Sequence, residues 1–293
     1  MISQDSAGQD SQGCDWSALR SHLRRWKEAD QLDGTIIVPV NAAEDLQRVT
    51  KILSDLGRYR GKNSFEVILV INNYLPHEPP SITNMTGSGL RILLIPDVRK
   101  PGEHPALSAR MDGINAAKTN QIMLFDADCR IPHPTALFDW YVKKLQAGYS
   151  LAYTHVGYWD LSKTFSVRFR ILVHHLLRLL KRTILGIPTS RGSNYAVEKN
   201  TMESLYQQGL ISRDIHVGPA IKSITEKIAY SGKKEHTVLT SGRKIKKGWN
   251  RLLRYWRWRL DQNQILFQIL ANESMSGYHG EQETVHQEKK TTG

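Results

Sequence analysis

Cysteine is scarce in this chain. Only Cys14 and Cys129 occur among 293 residues, too few for a disulfide framework, and no Cys/His spacing suits a zinc site. That usage fits a reducing, cytoplasmic setting. Long apolar runs are missing as well. No stretch reaches the roughly 18 uncharged apolar residues that span a bilayer, and Met1-Ile2-Ser3-Gln4-Asp5 lacks the basic and apolar regions of a secretory signal. Acids are outnumbered, with 28 Asp+Glu against 40 Lys+Arg and a net charge of +12. An excess of that size suits a polyanionic partner: nucleic acid, an anionic membrane face or a phosphate-bearing substrate. There is no internal repeat.

What is present is a chain 40% hydrophobic, enough to bury a core. Two periods alternate along its first half. Thr35–Val40, Phe65–Ile71, Arg91–Ile95 and Gln121–Phe125 read as strands. Between them, Leu46, Val49, Ile52, Leu53 and Leu56 fall on one helical face with Gly57 as a stop. Helices are also expected over 105–117 and about 134–147, the latter burying Leu137, Trp140, Tyr141 and Leu145. Strands alternating with helices imply α/β architecture: a mostly parallel sheet with helices on both faces.

Such a sheet binds ligands beyond the C-terminal ends of its strands. Pro39, Val40 and Asn41 fall there after the first strand, Asn72 and Asn73 after the second, and Asp126 and Asp128 after the fourth. Two carboxylates one residue apart suit a hard divalent cation carrying phosphates; a polar turn closing a core strand is the alternative. The asparagines can equally close a turn, because Asn tolerates left-handed backbone.

Four blocks resemble the inverting nucleotide-sugar glycosyltransferases of family 2, which have the GT-A (Rossmann-like) fold. They are Ile36-Ile37-Val38-Pro39-Val40-Asn41, Ala109-Arg110-Met111-Asp112-Gly113-Ile114, Leu124-Phe125-Asp126-Ala127-Asp128, and Gly192-Ser193-Asn194-Tyr195-Ala196-Val197 followed by Arg213-Asp214. The resemblance spans about residues 33–245. It implies a UDP- or GDP-sugar donor, Mn²⁺ or Mg²⁺ as cofactor, and a sugar-accepting hydroxyl. On that resemblance Asp128 is the direct metal ligand, and Asp126 reaches the ribose or a metal-bound water. Pro39, Val40, Asn41, Asn72, Asn73 and Arg110 bind the donor nucleotide. Gly192, Ser193, Asn194 and Arg213 face the sugar or acceptor, with backbone N–H groups and the Asn194 amide on offer. Asp214 is the catalytic base, or else the N-cap of a helix beginning near His216.

Two departures stand out. Asn72 and Asn73 occupy the place where the family carries an acid for the base, and Arg213 rather than an acid precedes Asp214. They keep a non-catalytic nucleotide-binding module in view. A sugar-phosphate nucleotidyltransferase would want a Gly-rich loop where Pro39-Val40-Asn41-Ala42-Ala43 stands. His236 is a speculative third metal ligand, and His174 and His175 read as packing residues.

Residues 163–185 and 243–260 are basic and apolar, and neither contains an acid. In the first, Phe165, Phe169, Leu172, Val173, Leu176, Leu180 and Ile184 share a face. Both segments suit helices on an anionic membrane surface or helices packed on the core. Arg243 could instead meet the donor diphosphate. Single-stranded nucleic acid is disfavoured, because no nucleic-acid fold signature accompanies the basic aromatic segment. The chain thus divides into a leader and helix (1–32), the GT-A domain (33–245, with nucleotide-binding half 33–130 and acceptor half 131–245), a basic aromatic helix (246–275) and a polar, disordered tail (276–293). The expected role is cell-surface polysaccharide or glycolipid synthesis in the cytoplasm, peripheral to the inner membrane face, on an acceptor that is unknown and could be lipid-linked.

Overall fold

The computed structural model describes residues 16–77, 90–95, 104–162, 164–246, 249–250, 252–258 and 261–262. The expected leader up to residue 15, the tail (276–293) and most of the basic aromatic segment beyond 262 lie outside the described residues.

Seven strands form one sheet. They are β1 (Gly34–Asn41), β2 (Phe65–Asn72), β3 (Arg91–Leu94), β4 (Gln121–Leu124), β5 (Leu151–Thr154), β7 (Tyr195–Glu198) and β8 (Ile228–Ser231), in the order β3-β2-β1-β4-β7-β5-β8. β3, β2, β1 and β4 run parallel, and β5 pairs β8 in parallel. β7 lies antiparallel to both its neighbours. A second, two-stranded sheet joins β6 (Val156–Tyr158) to β9 (Val238–Thr240).

Successive residues of β1 serve opposite faces, as strand geometry requires. Ile36, Val38 and Val40 enter a core with α1 (Trp16–Lys27), α2 (Val49–Leu56) and α4 (Pro134–Gln146). Ile37 enters the core on the other face with α3 (Pro105–Ala116), α6 (Lys199–Gln207) and α7 (Asp214–Ile224). The expected two-faced sheet is therefore present, and every strand expected in the first half is found.

Two helix starts and the burial of one residue differ from expectation. α2 starts at Val49, because residues 42–48 are turn. There the Asn41 side chain accepts the Ala43 N–H at 3.0 Å, and such side-chain bonds compete with helix. Trp140 is only half-buried and stacks on His236, ring centroids 5.2 Å apart. α7 begins at Asp214 rather than His216, so Arg213 is the N-cap residue and Asp214 the first helical one.

α5 (Phe165–Thr183) separates the two readings open for its segment. The expected apolar stripe exists, but it faces outward. Val167, Arg170, His174 and Arg178 are the buried residues, while Phe165, Phe169, Leu172, Leu176, Leu180 and Ile184 are exposed. Core packing through the apolar stripe is therefore excluded. The inner face is held by polar bonds: Arg170 Nη1 donates to the Ile245 carbonyl at 2.8 Å, and Arg178 Nη2 to that of Thr189 at 3.0 Å. α8 (Arg243–Lys246) and helical residues at 249–250 and 252–258 follow.

Candidate active site

Two adjoining cavities lie at the C-terminal ends of β1, β2 and β4. The smaller, about 330 Å³, is lined by Pro39 and Asn41 of β1, Asn72 and Asn73, the start of α3, Asp126 and Asp128. The larger, about 530 Å³, is lined by Tyr158, His174, Arg191, Gly192, Ser193, Asp214 and Tyr255. Asp126, Asp128 and Arg243 line both.

Arg110 contributes to the lining of the smaller cavity, beside the wall between the two. α3 lies close on β1 because position 113 is glycine: a Cβ there would sit 2.6 Å from Ile37 Cγ2. That approach brings Arg110 beneath the end of β4, where it is 1% exposed. Its Nη1 donates to Asp214 Oδ2 at 2.5 Å, its Nη2 donates to Asp126 Oδ1, and Nη1 also reaches the Ala106 carbonyl at 3.2 Å. Burial alone would lower the Arg110 pKa, but Asp214 and then Asp126 outweigh it and raise it. Gly192 lies against the guanidinium with no room for a Cβ. Asp214 has its second oxygen, Oδ1, buried with no hydrogen-bond partner. The capping alternative fails, since Arg213 holds the N-cap position.

Asp128 is held from the other side. Thr240 Oγ1 donates to its Oδ1 and Arg243 Nη2 to its Oδ2, each at 2.9 Å. Arg243 also bonds Glu44 Oε2 at 3.2 Å and lies 3.7 Å from Asp45 Oδ1. A positive charge thus already occupies the acidic corner where the sequence places a cation. The loop beyond Asp128 is pinned by Asp55, 1% exposed on α2. Asp55 accepts from the Ile131 N–H at 2.6 Å, from Arg130 Nε at 2.9 Å and from Arg58 Nη2 at 2.7 Å.

Several expected site residues do other work. Val40 is fully buried in the core, because strand alternation turns it away from Pro39 and Asn41. Asn194 is also fully buried. Its Oδ1 accepts the Arg191 N–H at 2.9 Å and its Nδ2 donates to the Thr154 carbonyl, so the amide fixes its own loop and is not offered to a ligand. Arg213 lies over the Trp258 ring, 5.5 Å from its centroid, so the guanidinium on Asp214 is that of Arg110. His236 bonds Ser231 Oγ at 2.7 Å and lines neither cavity. Asn73 adopts φ 59°, and its Nδ2 donates to Asn41 Oδ1 at 2.8 Å. Asn72 Nδ2 donates to the Pro105 carbonyl at 3.2 Å. Turn and cavity wall are therefore the same asparagines. Cys129, beside the acidic pair, is fully buried, and burial raises its thiol well above the usual range, which removes it as a nucleophile.

Sequence reading missed Arg191, Tyr158 and Thr240. Arg191 Nη2 donates to His174 Nε2 at 2.5 Å, which makes Nε2 the acceptor and places the imidazole proton on Nδ1. Its Nη1 donates to Tyr158 Oη at 3.3 Å. The only available signal was the position of Arg191 directly before Gly192. His174 is buried, as expected of a packing residue, yet it also lines the larger cavity.

The donor set fits a divalent cation of one kind. Among the described residues, no group of three or more His, Cys, Asp or Glu could cage an ion. Two carboxylates at a shared wall suit an ion that takes its remaining ligands from phosphate and water, as Mg²⁺ does.

No protein-family model matches the chain, and no curated protein matches it. Solved structures do. The mannosyltransferase PcManGT from Pyrobaculum calidifontis, in complex with GDP-Man and Mn²⁺, superposes with a TM-score of 0.50 over 86% of this chain and 70% of that one, at 15% identity. Glucosyl-3-phosphoglycerate synthase from Mycobacterium tuberculosis, with Mn²⁺, UDP-glucose and phosphoglyceric acid, gives 0.43 over 78% of each chain at 18% identity. S. aureus TarS 1–349 with UDP-GlcNAc gives 0.46 over 74% and 61% at 12% identity. The first of these likenesses establishes the GT-A fold for this chain.

Proposed function

We propose that this protein transfers a sugar from a nucleoside diphosphate sugar to an acceptor hydroxyl, with inversion at the anomeric carbon, as a family 2 enzyme. The observation that carries the proposal is the buried Arg110 bridge, which fixes Asp126 toward the nucleotide cavity and Asp214 toward the second cavity. The mannosyltransferase that shares the fold binds GDP-Man and Mn²⁺, which supports the same donor class here.

The nucleotide would lie in the smaller cavity against Pro39, Asn41, Asn72 and Asn73, with the diphosphate toward Asp126, Asp128 and Arg243. A Mn²⁺ or Mg²⁺ ion held by Asp128, with Asp126, would neutralise charge on the departing diphosphate. Arg243, released from Asp128, is placed to pair with the same phosphates. Asp214 does the proton chemistry. Arg110 fixes Oδ2 and leaves Oδ1 free to accept the acceptor hydroxyl's proton as that oxygen bonds to the anomeric carbon. The bond from that carbon to the phosphate oxygen breaks, and its electron pair leaves with the diphosphate. One displacement needs one base and no covalent nucleophile.

The acceptor side contains Arg191, a buried cation whose side chain bonds Tyr158 and His174 and which the Asp126 charge reaches more weakly. That supports an acceptor bearing negative charge, as a lipid-linked sugar phosphate does, and hence a role in polysaccharide or glycolipid synthesis at the cytoplasmic membrane face.

Incubation with UDP- and GDP-sugars and Mn²⁺ tests the reading. Release of diphosphate should occur, with a product anomer opposite to the donor's. Asp214→Asn should lower kcat by about 10²–10⁴-fold with donor binding retained. Retained configuration, or full turnover in Asp214→Asn, would overturn it. A second reading, nucleotide binding without turnover, is favoured by Arg243 on Asp128; it predicts binding but no diphosphate release with any donor.

A further inference from the structure

Fifteen large apolar side chains are exposed among the described residues; nine lie at 165–185 and three more at 249–258. Scattered exposed leucines need no explanation, but a contiguous patch does. Phe165, Phe169, Leu172, Leu176, Leu180 and Ile184 recur at helical spacing along the outer side of α5. The patch continues onto the next element, because Phe169 and Trp249 meet edge to face, ring centroids 5.9 Å apart. Leu253 is 61% exposed beyond them.

The charge around this patch has one sign. Arg168, Arg254 and Arg257 are exposed beside it, and Lys181 and Arg182 are half-exposed. Neither 165–185 nor 243–260 contains an acid. A second copy seated here would set arginine against arginine, so self-association is disfavoured. A surface that offers hydrocarbon and negative charge together matches both properties. α5 cannot cross a bilayer: no helix among the described residues is long and apolar enough. It can lie in the interface plane, where its 19 residues extend about 28 Å.

We infer that the outer faces of α5 and residues 249–258 form a docking surface for a bilayer with anionic headgroups. The inner faces of these elements supply His174, Leu252 and Tyr255 to the larger cavity. The elements that meet lipid therefore also wall the larger cavity. The inference goes beyond the sugar-transfer reading and does not depend on it.

Flotation of the full chain with vesicles, in the absence of nucleotide, tests it. The protein should float with phosphatidylcholine vesicles containing phosphatidylglycerol and stay in solution with phosphatidylcholine alone. High salt should weaken binding, since the basic rim is exposed to screening. The double change Phe169→Glu with Leu176→Glu should reduce binding at least about tenfold. Both positions are exposed, so folding should survive, and an unchanged thermal transition would establish that. Leu75→Glu, at an exposed apolar position off the patch, should bind as the unaltered chain does. Recovery of the unaltered protein in solution with anionic vesicles, equal flotation of the double variant, or a dimer that forms through this face without vesicle binding would each overturn the inference.

Discussion

Arg110 is the residue on which the site turns. A buried guanidinium persists only where partners satisfy it, and here its two charged partners are acids that the proposed chemistry needs. Arg110→Met would leave Asp126 and Asp214 facing each other. Removing one member of a buried pair costs about 3–5 kcal/mol, but the Asp126 side chain is 41% exposed and can rehydrate. The expected loss is about 2 kcal/mol, read from the urea midpoint, with transfer falling at least about a hundredfold through misplaced carboxylates. Unchanged stability and activity would remove Arg110 from the account. The sequence marked Arg110 as one member of Ala-Arg-x-x-Gly-Ile, but not its partners, which lie 16 and 104 residues away and meet it only through packing. Asn194 shows the opposite failure. Its motif marked a special loop correctly, yet the amide is consumed in building that loop.

At the scale of the element, α5 shows why pattern alone does not orient a helix. Its apolar stripe was legible, but its spacing suited a membrane surface and a core equally. What decides the outcome is the other stripe, where Arg170, His174 and Arg178 find backbone carbonyls, Arg191 and aromatic rings. The same helix carries a pH dependence through the half-buried His175. The His155 and His175 rings lie 4.7 Å apart. Burial, then the His155 charge and neighbouring arginines, lower His175 from 6.5 to about 4. On α7, burial and then Arg213 lower His216 to about 4. Both folded values lie below the unfolded one, so between about 4 and 6.5 the unfolded chain binds more protons. Stability is therefore full above that window and falls as pH drops through it. The melting temperature should be several degrees lower at about pH 5 than at about pH 7. His175→Gln should narrow that difference. An equal acid loss in the variant would show that His175 is not responsible.

At the scale of the whole molecule, the part of the sheet built from β1 to β4 was more legible than the rest. β1, β2 and β4 are apolar runs, and the helices after β1 and before β4 alternate with them, which is enough to imply a parallel sheet with its crevice at the strand ends. Among the other strands, β5 runs straight into β6, and only a 3-10 turn separates β8 from β9, so no helix–strand alternation marks them. Nothing local announces that β7 enters antiparallel between β4 and β5. Yet that insertion carries Gly192 and Arg191 to Arg110 and His174, and so builds the second cavity beside the first. The acids after β4 line both cavities. Their behaviour toward a cation and a nucleotide together is the most direct probe of the whole account. Calorimetric titration of UDP and GDP, with Mn²⁺ and then with chelator, should show nucleotide binding that requires the ion and is lost in Asp128→Ala. Equal nucleotide affinity in chelator, or in Asp128→Ala with Mn²⁺ present, would contradict it.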